Sequence, residues 1–109
     1  MKIDRRIREY KEVIENLCSE FNLTPPNRVE LMKNYIGKPQ RSWGKTVYSH
    51  SSDSYKIKIR KFRLEGEKRV LRSEQNILKS ICHELAHSKH FEHNPQHFAL
   101  TNEMVNYLQ

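Results

Sequence analysis

Apolar residues in the first part of the chain fall at Ile3, Ile7, Tyr10, Ile14, Leu17 and Phe21. That 4-3-4-3-4 spacing draws one stripe along a helix and predicts one over about residues 3–22. Three heptads are few for a coiled coil, so the stripe is read as backing a small sheet. "NLTPPN" ends the helix, because two prolines cannot continue it.

The period then shortens to two. "RVELMKNY" predicts a strand with Val29, Leu31 and Tyr35 on one face, and "IGKPQ" a turn. "SWGKTVYSHSSDSYKIKIRKFRL" predicts two strands joined by the polar "SHSSDS". In the second of these, Tyr55, Ile57, Ile59 and Phe62 alternate with Lys56, Lys58 and Arg60, and the register slips near Lys61. One face is buried and the other wet and basic. Lysines protect exposed sheet edges, so 55–60 is read as an edge strand. "EGEKRVLR" is read as a loop.

Ser73 is a good N-cap, with Glu74 in the first turn where the helix dipole favours an anion. The helix it opens is predicted to reach about His90, with Ile77, Leu78, Ile81, Cys82 and Leu85 on its apolar face. Pro95 suits the first turn of a last helix over roughly 95–107, with Phe98, Leu100, Met104, Val105 and Leu108 facing inward. These elements predict a single α+β domain over 1–109. It has an N-terminal backing helix, a small three-stranded sheet, a central helix and a C-terminal helix.

A chain of 109 residues supports one modest core. No apolar run approaches the ~18 residues of a membrane span. The start, "MKIDRRIREYKEVIENL", has no apolar core of a secretory signal, so a cytoplasmic location is expected. Cys18 and Cys82 are too few for a disulfide framework and are read as buried, reduced thiols. Net charge is +7. It permits a nucleic-acid partner but does not favour one, because Lys and Arg are spread along the chain.

Five of the six histidines lie in "SICHELAHSKHFEHNPQHF", residues 80–98. His83 and His87 are four apart on a helix, so their imidazoles share a face and can converge on one ion. Zinc accepts imidazole nitrogen, and a catalytic site keeps one position open. Glu84, beside the first ligand, has the reach to take a proton from an attacking water. His90 lies ~10.5 Å along the axis from His83 on an unbroken helix, too far for a third ligand. His93, beyond the helix end where "FEHNP" can turn the chain back, is favoured. His97 and Glu103 are the alternatives. His50 is read as exposed. His97, Tyr107 and Tyr55 are candidates for stabilising an oxyanion.

The stretch "HELAHSKHFEHNPQHFAL" resembles the zinc signature of small single-domain zincins, among them the WLM, SprT-like and YgjP-type hydrolases. The whole layout is similar to the minigluzincins. The resemblance covers about 28–105, and only the zinc stretch is specific. It implies one Zn²⁺ per chain on His83, His87 and His93, with Glu84 as general base of a metalloendopeptidase acting on peptide or protein substrates. Substrate is expected to pair along the edge strand at Tyr55, Ile57 and Ile59. The resemblance also implies latency, with about 99–109 filling the cleft within one chain or by exchange in a homodimer. The alternatives are a WLM- or SprT-like protease acting on DNA-associated proteins and a non-catalytic zinc-binding module. His90 stands where metzincins with the same spacing carry glycine, and Lys45-Thr46 replace the serine-cysteine that follows Trp-Gly in the YgjP type.

Overall fold

Ile3 belongs to the sheet, not to the helix that the apolar spacing predicts. In a computed structural model that describes residues 1–33 and 42–109, strand β1 (Lys2–Ile3) pairs in parallel with β2 (Arg28–Leu31). The Asp4 carboxylate then accepts from the backbone N–H of Arg6 and opens a 3-10 segment, Arg5–Tyr10. Ile7 leaves helical geometry there, and only Lys11–Glu20 is α-helix (α1). The stripe survives because Ile7 and Tyr10 are three apart, one turn of a 3-10 helix. Ile7, Tyr10, Ile14 and Leu17 are all buried.

β2 keeps Val29 in the core; Tyr35 and the "IGKPQ" turn lie outside the described residues. β3 (Gly44–Ser49) and β4 (Ser54–Ile59) form the expected hairpin. Among the described residues the sheet has four strands, in the order β1-β2-β4-β3. β4 is therefore an interior strand, parallel to β2 on one side and antiparallel to β3 on the other. This corrects the edge-strand reading of 55–60. The main chain of β4 is already paired on both sides, and Tyr55, Ile57 and Ile59 are buried in the core. The outer strand beside the helices is β3.

"EGEKRVLR" is not a loop. β5 (Phe62–Glu65) and β6 (Lys68–Leu71) pair as a second hairpin. Gly66, with φ +61, takes the first turn position in a left-handed conformation that glycine adopts without strain.

Ser73 caps α2 (Glu74–Ala86) by accepting from the N–H of Asn76. The helix stops before His90. The chain tightens into a turn in which the N–H groups of His87, Ser88 and Lys89 donate three residues back, to Glu84, Leu85 and Ala86. Asn94 caps α3 (Pro95–Tyr107), whose bounds match the prediction.

α2 and α3 pack together, and α2 also packs on the sheet. Met104 is fully buried, with Leu100, Val105 and Leu108 partly buried against the core, while Phe98 stays exposed. Cys18 and Cys82 are buried free thiols, and burial pushes them up to about 11 and about 12. Among the described residues, no helix is long and apolar enough to cross a membrane.

Candidate active site

α2 carries its polar residues in register. Asn76, Ser80, His83 and His87 follow at steps of four, three and four, so they share one face turned to a cleft of about 660 Å³. His93 arrives from the turn after α2. The Nε2 atoms of His83, His87 and His93 form a near-equilateral triangle: 3.3 Å for His83–His87, 3.1 Å for His83–His93 and 3.1 Å for His87–His93. A tetrahedral zinc ~2.05 Å from each nitrogen would separate its ligands by about 3.3 Å. The three rings therefore fit one such ion. They do not satisfy one another, because three converging Nε2 atoms cannot all pair as donor and acceptor.

The surroundings fix the rings. Nδ1 of His87 donates to the carbonyl of His90 at 3.1 Å, which leaves the Nε2 lone pair for an ion. His90 contributes this carbonyl and not its ring. Burial, then the neighbouring rings of His97, His87 and His93, push the His83 imidazole down to about 4. It is neutral at neutral pH, the form that binds metal.

His97 stands outside the triangle. Its ring is wholly buried, its Nε2 donates to the carbonyl of His83 at 3.0 Å, and its face stacks on His87 at 4.1 Å. It bolts α3 to α2 from behind the three rings. Glu103 is exposed on α3 and outside the cluster. The cluster holds His83, His87 and His93 among the described residues. Residues 34–41, "NYIGKPQR", contain no His, Cys, Asp or Glu to add to it.

Glu84 is buried and lines the same cleft. The Thr46 hydroxyl of β3 reaches its carboxylate Oε1 at 2.8 Å. Gly44 leaves the room the Glu84 side chain fills: a Cβ there would stand 2.8 Å from its Cγ and its Oε2. Burial raises the Glu84 carboxyl above the ordinary carboxylate value, against the Thr46 bond, which lowers it.

β3 runs past the site in the same sense as α2. Trp43 lies at the end of the cleft near Arg72, and Gly44 beside Glu84. Tyr48 lies at the other end, edge-on to Phe91 at 5.5 Å.

The remaining candidates fall elsewhere. Tyr55 donates to the Thr24 carbonyl and Tyr107 packs edge-on against Phe21 at 5.7 Å, so neither lines the cleft. His50 is exposed beside Tyr48. No residue of α3 lines the cleft either. The expectation that 99–109 fills it has no support here: the apolar side chains Leu100, Met104, Val105 and Leu108 of that segment pack on the core. Thr46, Gly44, Trp43 and Arg72 were not singled out as site residues by the sequence. "SWGKT" carried a faint signal, a glycine in a strand where something approaches closely.

The WLM domain family matches residues 28–109. No curated protein and no solved structure is detectably similar to the chain.

Proposed function

The chain belongs to the WLM family, a zincin-like protease family, and on that premise we propose that it is a zinc-dependent metalloendopeptidase. The observation that carries the reading is the convergence of the His83, His87 and His93 Nε2 atoms beside the buried carboxylate of Glu84. Three ligands without a fourth describe an open site and weigh against a purely structural metal, which zinc normally closes with four protein ligands. The third-histidine layout is also that of the minigluzincins.

When bound, zinc supplies a Lewis acid that polarises a carbonyl and acidifies water. Glu84 takes one proton from the attacking water as the new C–O bond forms at the carbonyl carbon, and delivers it to the leaving amine as the C–N bond breaks. Its raised affinity for a proton suits the return step. Thr46 holds the carboxylate toward the cleft. The substrate lies extended along the outer edge of β3 by main-chain pairing, since β4 has no edge to offer. With α3 out of the cleft, activity is expected of the full-length chain.

The test is zinc content and casein cleavage of the wild type and Glu84→Gln. The variant should keep one zinc per chain and lose cleavage. Equal activity in the two proteins would end the reading.

A second reading, a protease for DNA-associated proteins, draws support from the outer face of the sheet. Its cross-strand rows are Lys2–Arg28–Lys56–Val47 and Glu30–Lys58–Lys45. Five cations thus face one carboxylate, which is itself paired with Lys56 at 2.9 Å. The fold gathers what the sequence spreads. Binding to single-stranded DNA that falls steeply with salt, and flattens when Lys45 and Lys58 become alanine, would support it.

A further inference from the structure

Arg72 is only 8% exposed, lies in the cleft wall and has no counter-ion. Its guanidinium donates to three neutral acceptors: the carbonyl of Arg60 at 2.6 Å, the carbonyl of Asn76 at 3.2 Å and the hydroxyl of Ser80 at 2.9 Å. It lies 4.3 Å over the ring of Trp43, which pins its plane. A guanidinium has five N–H donors, so these bonds leave donors unused. None of the ion pairs among the described residues involves Arg72. Residues 34–41 contain no Asp or Glu. Glu84, the one carboxylate in the lining, is engaged by Thr46. Lys79, exposed, and Arg63, half-buried, stand in the same wall and add two further cations, of which Arg63 is paired with Glu65.

A buried cation without a counter-ion is costly, and the group that matches a held guanidinium is a carboxylate. Position sharpens this. Ser80, which holds Arg72, is one turn before His83, about 4.5 Å along the axis. An extended peptide advances ~3.3 Å per residue, so Arg72 meets a residue next to the scissile bond or one beyond it. A substrate antiparallel to β3 runs from the Tyr48 end toward the Trp43 end. Arg72 then lies on the carboxyl side of the scissile bond.

We propose that the Trp43–Arg72 end of the cleft is a subsite for a peptide carboxylate just after the scissile bond. The carboxylate is an Asp or Glu side chain or the chain terminus. The direction rests on the peptidase reading; the carboxylate preference rests on Arg72.

The test uses one quenched peptide sequence with Glu, Gln or Lys at the first and second positions after the scissile bond, each with a free or an amidated terminus. The full-length zinc-loaded protein should cleave Glu over Gln with roughly tenfold higher kcat/KM, and Lys worst. If the terminus is the true ligand, the preference appears in the free-acid arm instead. Arg72→Met should erase the ratio, whereas a purely structural role for Arg72 would lower both substrates alike and overturn the proposal. Should that variant not fold, the wild-type ratio decides: a value near one overturns it.

Binding is read separately. Trp43 is the chain's one tryptophan, so its fluorescence in Glu84→Gln reports occupancy without cleavage. A tighter response to the Glu than to the Gln peptide supports the subsite even if neither peptide is cut, in which case the peptidase reading fails alone. Equal cleavage of both fails the subsite alone. Displacement of the Glu peptide by oligo-dT with stronger quenching would reassign the pocket to phosphate and overturn the proposal.

Discussion

The Thr46 hydroxyl sits 2.8 Å from the Glu84 carboxylate and 3.0 Å from the Glu84 carbonyl, tying β3 to the last turn of α2 at the point where the proposed base projects. One hydroxyl proton serves one acceptor fully, and a charged carboxylate is the stronger. Thr46→Val keeps the shape and removes the donor. It should lower kcat by about 10–100-fold with zinc content unchanged, the usual cost of losing an outer-shell partner. Thr46→Ser should restore most of it. Full activity in the valine variant would show that the bond does not orient Glu84.

Gly44 tests the same carboxylate by shape. Its backbone has no positive φ, so alanine is conformationally acceptable. The added methyl would nonetheless stand 2.8 Å from Cγ and Oε2 of Glu84, closer than real Cβ contacts come. Gly44→Ala should bind zinc, melt near wild type and cut casein at least tenfold more slowly, the scale of a misplaced catalytic group. A variant as active as wild type would mean that Glu84 has another workable position.

What was legible in the sequence follows how local each signal is. The α2 pair, its Ser73 cap and the Asn94–Pro95 start of α3 depend on neighbours within a turn. His93 followed from helix arithmetic that excluded His90. β1 was not legible, because Lys2–Ile3 becomes a strand only by pairing with Arg28–Val29. Periodicity likewise shows that 55–60 is half-buried without showing which strands flank it, so the lysines of an interior strand looked like edge protection. Arg72 has no local mark: its partners are Trp43, Arg60 and Ser80. The hairpin at Gly66 was legible and missed, since a Gly-x pair between "FRLE" and "KRVL" is a two-residue turn signal.

His93 and His97 should separate cleanly by substitution. His93 is exposed and converges with the other two nitrogens. His93→Ala should leave the metal-free fold intact and reduce zinc affinity by at least tenfold. His97→Ala removes a wholly buried ring and its bond to the His83 carbonyl. It should lower stability by about 2 kcal/mol or more while retaining one zinc per chain. Calorimetric zinc titration beside urea unfolding distinguishes them. Loss of zinc stoichiometry in the His97 variant alone would reverse the ligand assignment.

Removing the C-terminal segment should harm the protein, not awaken it. Met104 is fully buried on α3, and α3 packs along α2. Met104→Ala should cost about 2–5 kcal/mol. A chain truncated after Leu100 should be largely unfolded or aggregated, with less casein cleavage than full length. Higher specific activity in the truncated chain would restore the latent arrangement that the buried Met104 speaks against.

The metal-free protein should weaken as pH falls from about 6.5 toward 4. His83 titrates near 6.5 when unfolded and is held to about 4 when folded. Over that window the unfolded chain takes up the proton first, so stability drops with pH. His97, also lowered by burial, acts in the same direction. Glu84, raised by burial, opposes them: below its raised value the folded chain binds the proton first and recovers some stability. The ion-paired carboxylates do not confuse the window, because Asp4, held to about 2 by Arg6, and the lowered Glu9 and Glu30 lose their contributions only below about 4.5. Urea midpoints in EDTA at pH 7.5, 6.0 and 5.0 should therefore decline, and more steeply in Glu84→Gln, which lacks the opposing group. Saturating zinc should raise the midpoint most at pH 7.5, where it binds the folded state without competing with protons. Midpoints independent of pH in EDTA would show that burial and the neighbouring rings do not hold the His83 imidazole down.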